Sequence, residues 1–163
     1  YAVDRAVQVL RNRGISGAIV DCGGDVYCLG FKSKQQRWTV GIQHPRDKGA
    51  QAYELSMSDR AIDTSGDYEK FFTIDGRRYS HIIDPRTGYP VGDAVISASV
   101  VAATAATADI FATALCVLGR EGLMMASAHG VDALIILQAD GKFDVDMTEG
   151  FEGQYNVKPK SQL

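Results

Sequence analysis

A chain of 163 residues, 45% hydrophobic and 23% charged, is long enough to form one domain with a real core and has the composition of an ordinary soluble globular protein. A formal net charge of -3 argues against a nucleic-acid surface, and the one basic cluster, KSKQQR at 32–37, reads as a solvated loop tip. No apolar run reaches the length of a membrane span, and the first residues do not read as a signal peptide.

The chain opens at full helical stride, with Val3, Ala6, Val7 and Leu10 on one face and Gly14 as the stop. Because neither cap nor leader precedes it, we expect a piece of a longer chain. Two apolar strands, GAIVD and VYCLGF, follow, joined by Cys22-Gly23-Gly24-Asp25, and then the strand-like RWTVGIQ and YELSMS. The segments YEKFFTI and RRYSHII flank Asp75-Gly76, a strong two-residue hairpin signal that sets Phe72 opposite Tyr79 and Lys70 opposite His81. SHII then reads as the end of a buried strand that breaks into a rigid Pro-Arg-Thr-Gly loop.

A β-branched strand is predicted over 94–101, an alanine-rich helix over 104–118 ended by Gly119, and a second helix over 121–128. The strand DALIIL, an Asp140-Gly141 turn and FDVDM complete a terminal hairpin. Residues 1–150 read as one folded unit and 151–163 as a loose polar tail. Helix, antiparallel strands, two helices and two strands make an α+β protein with helices packed on an antiparallel sheet. Cys22, Cys28 and Cys116 lack metal-ligand spacing and read as small buried hydrophobes.

Three stretches could carry chemistry. In TAATADIFATALCVLG, Asp109 and Thr113 lie one helical turn apart among the small residues Ala105, Ala106, Ala112 and Cys116. A carboxylate and a hydroxyl on a closely packed face form a hard-oxygen set suited to Mg2+. The alternative is a solvent-facing Asp109 that complements the start of its helix. Next, His81 and Asp84 bracket the two isoleucines, with Arg86 and Thr87-Gly88 behind them. They could be a base beside an anion-binding arginine, or a core histidine and an aspartate that opens a turn. Third, Thr64, Ser65, Gly66 and Asp67 could cradle a phosphate or form an ordinary turn. Gly23, Gly24 and Asp25 carry the same ambiguity, without the fingerprint of a dinucleotide fold. His44 and His129 have no partner pattern, and no G-x-S-x-G motif is present.

Taken in order, GISGAIVDCGGDVYCLG, AIDTSGDYEKFF, YSHIIDPRTGYPV and TAATADIFATAL resemble the ApbE family of FAD:protein FMN transferases, from Tyr1 to about Leu137. The resemblance implies a T-fold-like α+β architecture, of which 1–150 would be the C-terminal portion, since members run to about twice this length. It implies cleavage of the FAD pyrophosphate with Mg2+, transfer of FMN to a Ser or Thr hydroxyl of a target protein, and release of AMP. The targets carry a D-x-x-T/S-G-A-T/S motif and include subunits of ion-pumping oxidoreductases. Some members instead hydrolyse FAD to FMN and AMP, and most bacterial members are periplasmic proteins or lipoproteins of the cell envelope.

On this resemblance Asp109 and Thr113 would be metal ligands and His81 the catalytic base, with Asp84 lining the pyrophosphate end. Gly23, Gly24, Asp25, Ser65, Gly66, Asp67, His81 and Thr87 would surround the nucleotide. Asp84-Pro85-Arg86-Thr87-Gly88-Tyr89-Pro90 matches the first half of the target motif but fails at its last two positions, so we read it as part of the active site. Three functions are expected in order: a transferase, an FAD pyrophosphatase, or a flavin-binding module without catalysis.

Overall fold

A computed structural model describes residues 1–163 apart from Asp93, Asp140, Gln162 and the side chain of Arg77. Helix α1 (Ala2–Asn12) leads to strands β1 (Gly17–Cys22), β2 (Asp25–Gly30), β3 (Trp38–His44), β4 (Asp47–Met57), β5 (Arg60–Gly66), β6 (Phe71–Ile74) and β7 (Arg77–Ser80). The short pair β8 (Ile83–Asp84) and β9 (Tyr89–Pro90) precedes β10 (Val95–Ala102) and helices α2 (Ala105–Leu118) and α3 (Arg120–Ala128). Strands β11 (Asp132–Ala139) and β12 (Lys142–Met147), helix α4 (Glu149–Gln154) and β13 (Lys158–Pro159) complete the order.

The middle layer is a six-stranded sheet in the order β1-β2-β5-β10-β11-β12, with antiparallel neighbours throughout. Helices α1, α2 and α3 cover one face, where Val3, Val7, Ala112, Leu115 and Ala126 share a core with Val100 and Ile135. On the other face Ile42, Leu55, Met57 and Phe151, from β3, β4 and α4, pack against Ile62, Val101 and Ile136. Both faces are therefore closed to water, which is why β10 is buried at every position and its sequence lacks a polar-apolar alternation. The α+β architecture read from the sequence is the one observed.

Local signals located the hairpins well. Gly23 and Gly24, at φ of +70° and +105°, form a two-residue connection that pairs Cys22 with Asp25. Phe72 lies opposite Tyr79 as expected, and the Lys70 carbonyl accepts the His81 backbone N–H. The β11–β12 hairpin also forms; of its expected turn, Asp140 lies outside the described residues, while Gly141 has a φ of +73°.

Four expectations need correction. RAIDTSG is an interior strand, β5, held between β2 and β10, and its 63–66 portion is no turn. Its polar run conceals a strand because each hydroxyl finds a cross-element partner: Thr64 meets Ser99 at 2.8 Å and Ser65 meets Thr113 at 3.2 Å. The 151–163 tail packs, with Phe151 fully buried in α4 and the Tyr155 hydroxyl donating to Asp132 at 2.6 Å. Cys22 is exposed, because it sits at the edge-strand hairpin, although Cys28 and Cys116 are buried. Finally, β6 and β7 form a separate two-stranded sheet whose Phe71, Phe72 and Ile74 are exposed; Ile82 enters the core but Ile83 does not.

The start of α2 is tied down from outside its own helix. Thr104 caps it by accepting the Thr107 N–H at 3.1 Å, and the Asp4 carboxylate of α1 accepts the Ala105 and Ala106 N–H groups at 2.7 and 3.1 Å. Asp4→Ala strips acceptors from two helix-end donors and is expected to cost about 1–2 kcal/mol. A fall in the urea midpoint at unchanged m-value checks this; an unchanged midpoint would show that Thr104 and water suffice.

Candidate active site

The face that β5 turns toward the helices carries Ala61, Asp63 and Ser65 at alternate positions, and α2 lies across them. Here carboxylate oxygens of Asp25, at the start of β2, Asp63, in the middle of β5, and Asp109, on α2, all lie within 4.8 Å of one another. Beside them the Ser65 and Thr113 hydroxyls stand 3.2 Å apart. Asp109 and Thr113 share the helix face that their spacing implied, and the exposed Asp109 is drawn into an acidic cup rather than isolated in solvent.

Asp63 had no role in the sequence reading, yet it is the most buried member of the cup, at 8% exposure. Burial pushes its carboxyl up to about 7, assisted by a hydrogen bond with Asp25 and by the charges of Asp25 and Asp109. The neighbouring buried acid, Asp67, is treated quite differently. Arg46 holds both its oxygens, at 2.7 and 2.9 Å, and pins the β3–β4 turn to the end of β5. Among the described residues no salt bridge serves Asp25, Asp63 or Asp109. Three converging carboxylates without a cationic side chain, flanked by two hydroxyls, form an oxygen donor set that fits Mg2+.

This arrangement makes metal-free stability pH-dependent. The folded protein retains an Asp63 proton that the unfolded chain releases, so the contribution is complete below the unfolded value of 3.8 and disappears as pH rises through about 7. In EDTA, unfolding free energy is expected to lose a few kcal/mol over that window, and Asp63→Asn to flatten the slope. Urea titrations at successive pH values measure it. Equal slopes in the two proteins would remove Asp63 as the source.

Gly66 serves packing: a Cβ there would lie 2.5 Å from Tyr68 and 2.8 Å from the Ile96 carbonyl oxygen. Cys116 stays a thiol, its pKa raised to about 12 chiefly by burial, and it donates weakly to the Ser65 carbonyl at 3.6 Å.

His81 lies at the foot of the β6–β7 hairpin, where its Nδ1 is 2.9 Å from the Lys70 carbonyl oxygen. In the loop beyond, Asp84 accepts the Arg86 backbone N–H at 2.9 Å and grips the Arg86 guanidinium at 2.8 Å, and that pairing holds its carboxyl below the usual range. Both carboxylate oxygens are thus engaged in shaping the loop, which favours the turn-opening reading of Asp84 over proton transfer. Thr87 accepts the Tyr89 N–H at 3.2 Å and belongs to the same scaffold. Between β8 and α2 runs an almost wholly apolar groove of about 430 Å3, lined by Ile83, Pro85, Ile110, Thr113 and Val117 among others. A larger cavity of about 800 Å3, beside Arg60, Met124 and Tyr155, contains none of the residues that the sequence singled out.

The family model of the ApbE family matches residues 1–135. This chain belongs to the ApbE family. It is 36% identical over 154 residues to the FAD:protein FMN transferase of Vibrio cholerae, a match covering 93% of this chain and 46% of that protein. With the FAD:protein FMN transferase of Treponema pallidum it shares 40% identity over 147 residues, covering 83% and 41%. The ApbE protein of Thermotoga maritima superposes with a TM-score of 0.84 at 35% identity, covering 93% of this chain and 49% of that one. For the flavin transferase ApbE of Vibrio cholerae the TM-score is 0.79 at 34% identity, with coverage of 92% and 48%. The chain therefore spans less than half the length of these ApbE relatives. No helix among the described residues is long and apolar enough to cross a membrane.

Proposed function

We propose that this chain carries the phosphoryl-transfer face of an FAD:protein FMN transferase, with FAD as substrate and a Ser or Thr hydroxyl of a target protein as acceptor. The observation that carries the reading is the cup of Asp25, Asp63 and Asp109 beside Ser65 and Thr113, in a chain whose relatives bear that name. Asp109 and Thr113 would hold Mg2+, with Asp63 and Asp25 as further carboxylates. Once bound, Mg2+ supplies positive charge to a pyrophosphate that must shed negative charge during attack.

The chain's own groups do the remainder. Arg86, held by Asp84, offers a fixed guanidinium at the loop edge to an anionic group. The apolar groove along Ile83, Pro85 and Ile110 suits a flat ring system such as the flavin. His81 takes the acceptor proton at Nε2 as the hydroxyl oxygen bonds to the FMN phosphorus. The bond from that phosphorus to the bridging oxygen breaks, and AMP leaves with the electron pair.

Incubation with FAD, Mg2+ and a peptide bearing the D-x-x-T-G-A-T motif tests the proposal. It expects the peptide to gain the mass of one FMN, AMP to appear in step, and EDTA to stop both. Free FMN and AMP with an unmodified peptide would make the protein an FAD pyrophosphatase, with water in place of the hydroxyl. Tight FAD binding without AMP would make it a flavin-binding module.

A further inference from the structure

On the reading that His81 is the base, we propose that the β6–β7 hairpin is its positioning element, holding the imidazole in the Nδ1–H tautomer through the Lys70 carbonyl and so keeping Nε2 free to accept a proton. The carbonyl oxygen receives two bonds from one residue, the His81 backbone N–H at 3.1 Å and the ring Nδ1 at 2.9 Å. A carbonyl only accepts, so Nδ1 carries the proton and the Nε2 lone pair remains available.

Lys70 immediately precedes β6, and the pairing of β6 with β7 fixes the direction of its carbonyl. Phe71 pairs with Ser80 and Phe72 with Tyr79, and the rings of the second pair stack at 5.4 Å and 12°. The Arg78 guanidinium lies over the Phe71 ring, 3.6 Å from its centroid. These aromatics belong to neither buried core, and Phe71 and Phe72 are about half exposed. Their packing therefore stiffens the hairpin itself, and it ends one residue before His81 on one strand and one residue after Lys70 on the other. Phe72 and Tyr79 are positioning residues that act on the reaction through His81.

The other two histidines serve as internal controls. The Nδ1 of His44 accepts the Arg46 and Asp47 N–H groups at 3.1 and 3.0 Å, which requires the opposite tautomer. The Nδ1 of His129 donates to the Met125 carbonyl at 2.9 Å.

Long-range proton–nitrogen correlation spectroscopy of the 15N-labelled full chain, above the histidine titration range, reads all three rings at once. The expected result is Nδ1–H for His81 and His129 and Nε2–H for His44. In a Phe72→Ala/Tyr79→Ala variant His81 alone moves to a tautomer mixture, while Phe72→Tyr, which keeps the stack, preserves the lock. The kcat for FMN transfer falls about 10- to 100-fold in the alanine variant, and the KM for FAD does not change. An Nε2–H His81 in the unmodified protein, or an unmoved His81 in the alanine variant, overturns the proposal. A locked His81 in a protein that transfers no FMN overturns the transferase reading and the base role with it, and leaves the tautomer assignment standing.

Discussion

Asp109→Ala is expected to lower FMN transfer about a thousandfold and to abolish the rise in melting temperature expected from Mg2+ at the proposed site. The rate effect corresponds to several kcal/mol of charge stabilisation at the pyrophosphate, the scale of a directly bound metal. The thermal effect follows by mass action, because an ion that binds only the folded state raises its stability. Asp109 is exposed and lies on the helix surface, so its removal opens no core cavity, and a variant of normal Tm in EDTA separates lost binding from lost folding. A variant that keeps the Mg2+-dependent shift would move the site to Asp25 and Asp63 and deny Asp109 its role.

For His81→Ala the expected outcome is a 100- to 10,000-fold loss of kcat for FMN transfer with FAD affinity preserved. The imidazole stands at the exposed foot of a hairpin, where its Nδ1 meets the Lys70 carbonyl oxygen at 2.9 Å. Removing it should leave both cores intact, since His81 belongs to neither. Single-turnover rates alongside equilibrium FAD titration make the separation. Equal weakening of binding and turnover would reassign His81 to holding the nucleotide.

Much of this site was legible because its grammar is local. The Asp109–Thr113 pairing follows from four-residue spacing on a helix, and the Phe72–Tyr79 register from a two-residue hairpin loop. Asp63 was hidden by its setting. In RAIDTSG the polar run masks the alternation of a strand, and only the placement of β5 between β2 and β10, beneath α2, brings Asp63 to Asp25 and Asp109. Asp67 shows another long-range outcome: the resemblance puts it at the nucleotide, and the fold pairs it with Arg46, a partner 21 residues away. The resemblance puts Asp84 at the pyrophosphate end and Thr87 at the nucleotide, and in the structure both make hydrogen bonds within their own loop.

By itself, then, the sequence determined the α+β class, the hairpins, the helix that carries Asp109 and Thr113, and the family, because periodicity, two-residue loops and ordered motifs are properties of neighbouring residues. Tertiary structure alone decided which acids share one cup, which acid is neutralised by an arginine, and which nitrogen of His81 is free. Those outcomes depend on strand order and helix docking, which bring together charges remote in the chain and set the desolvation that each must bear.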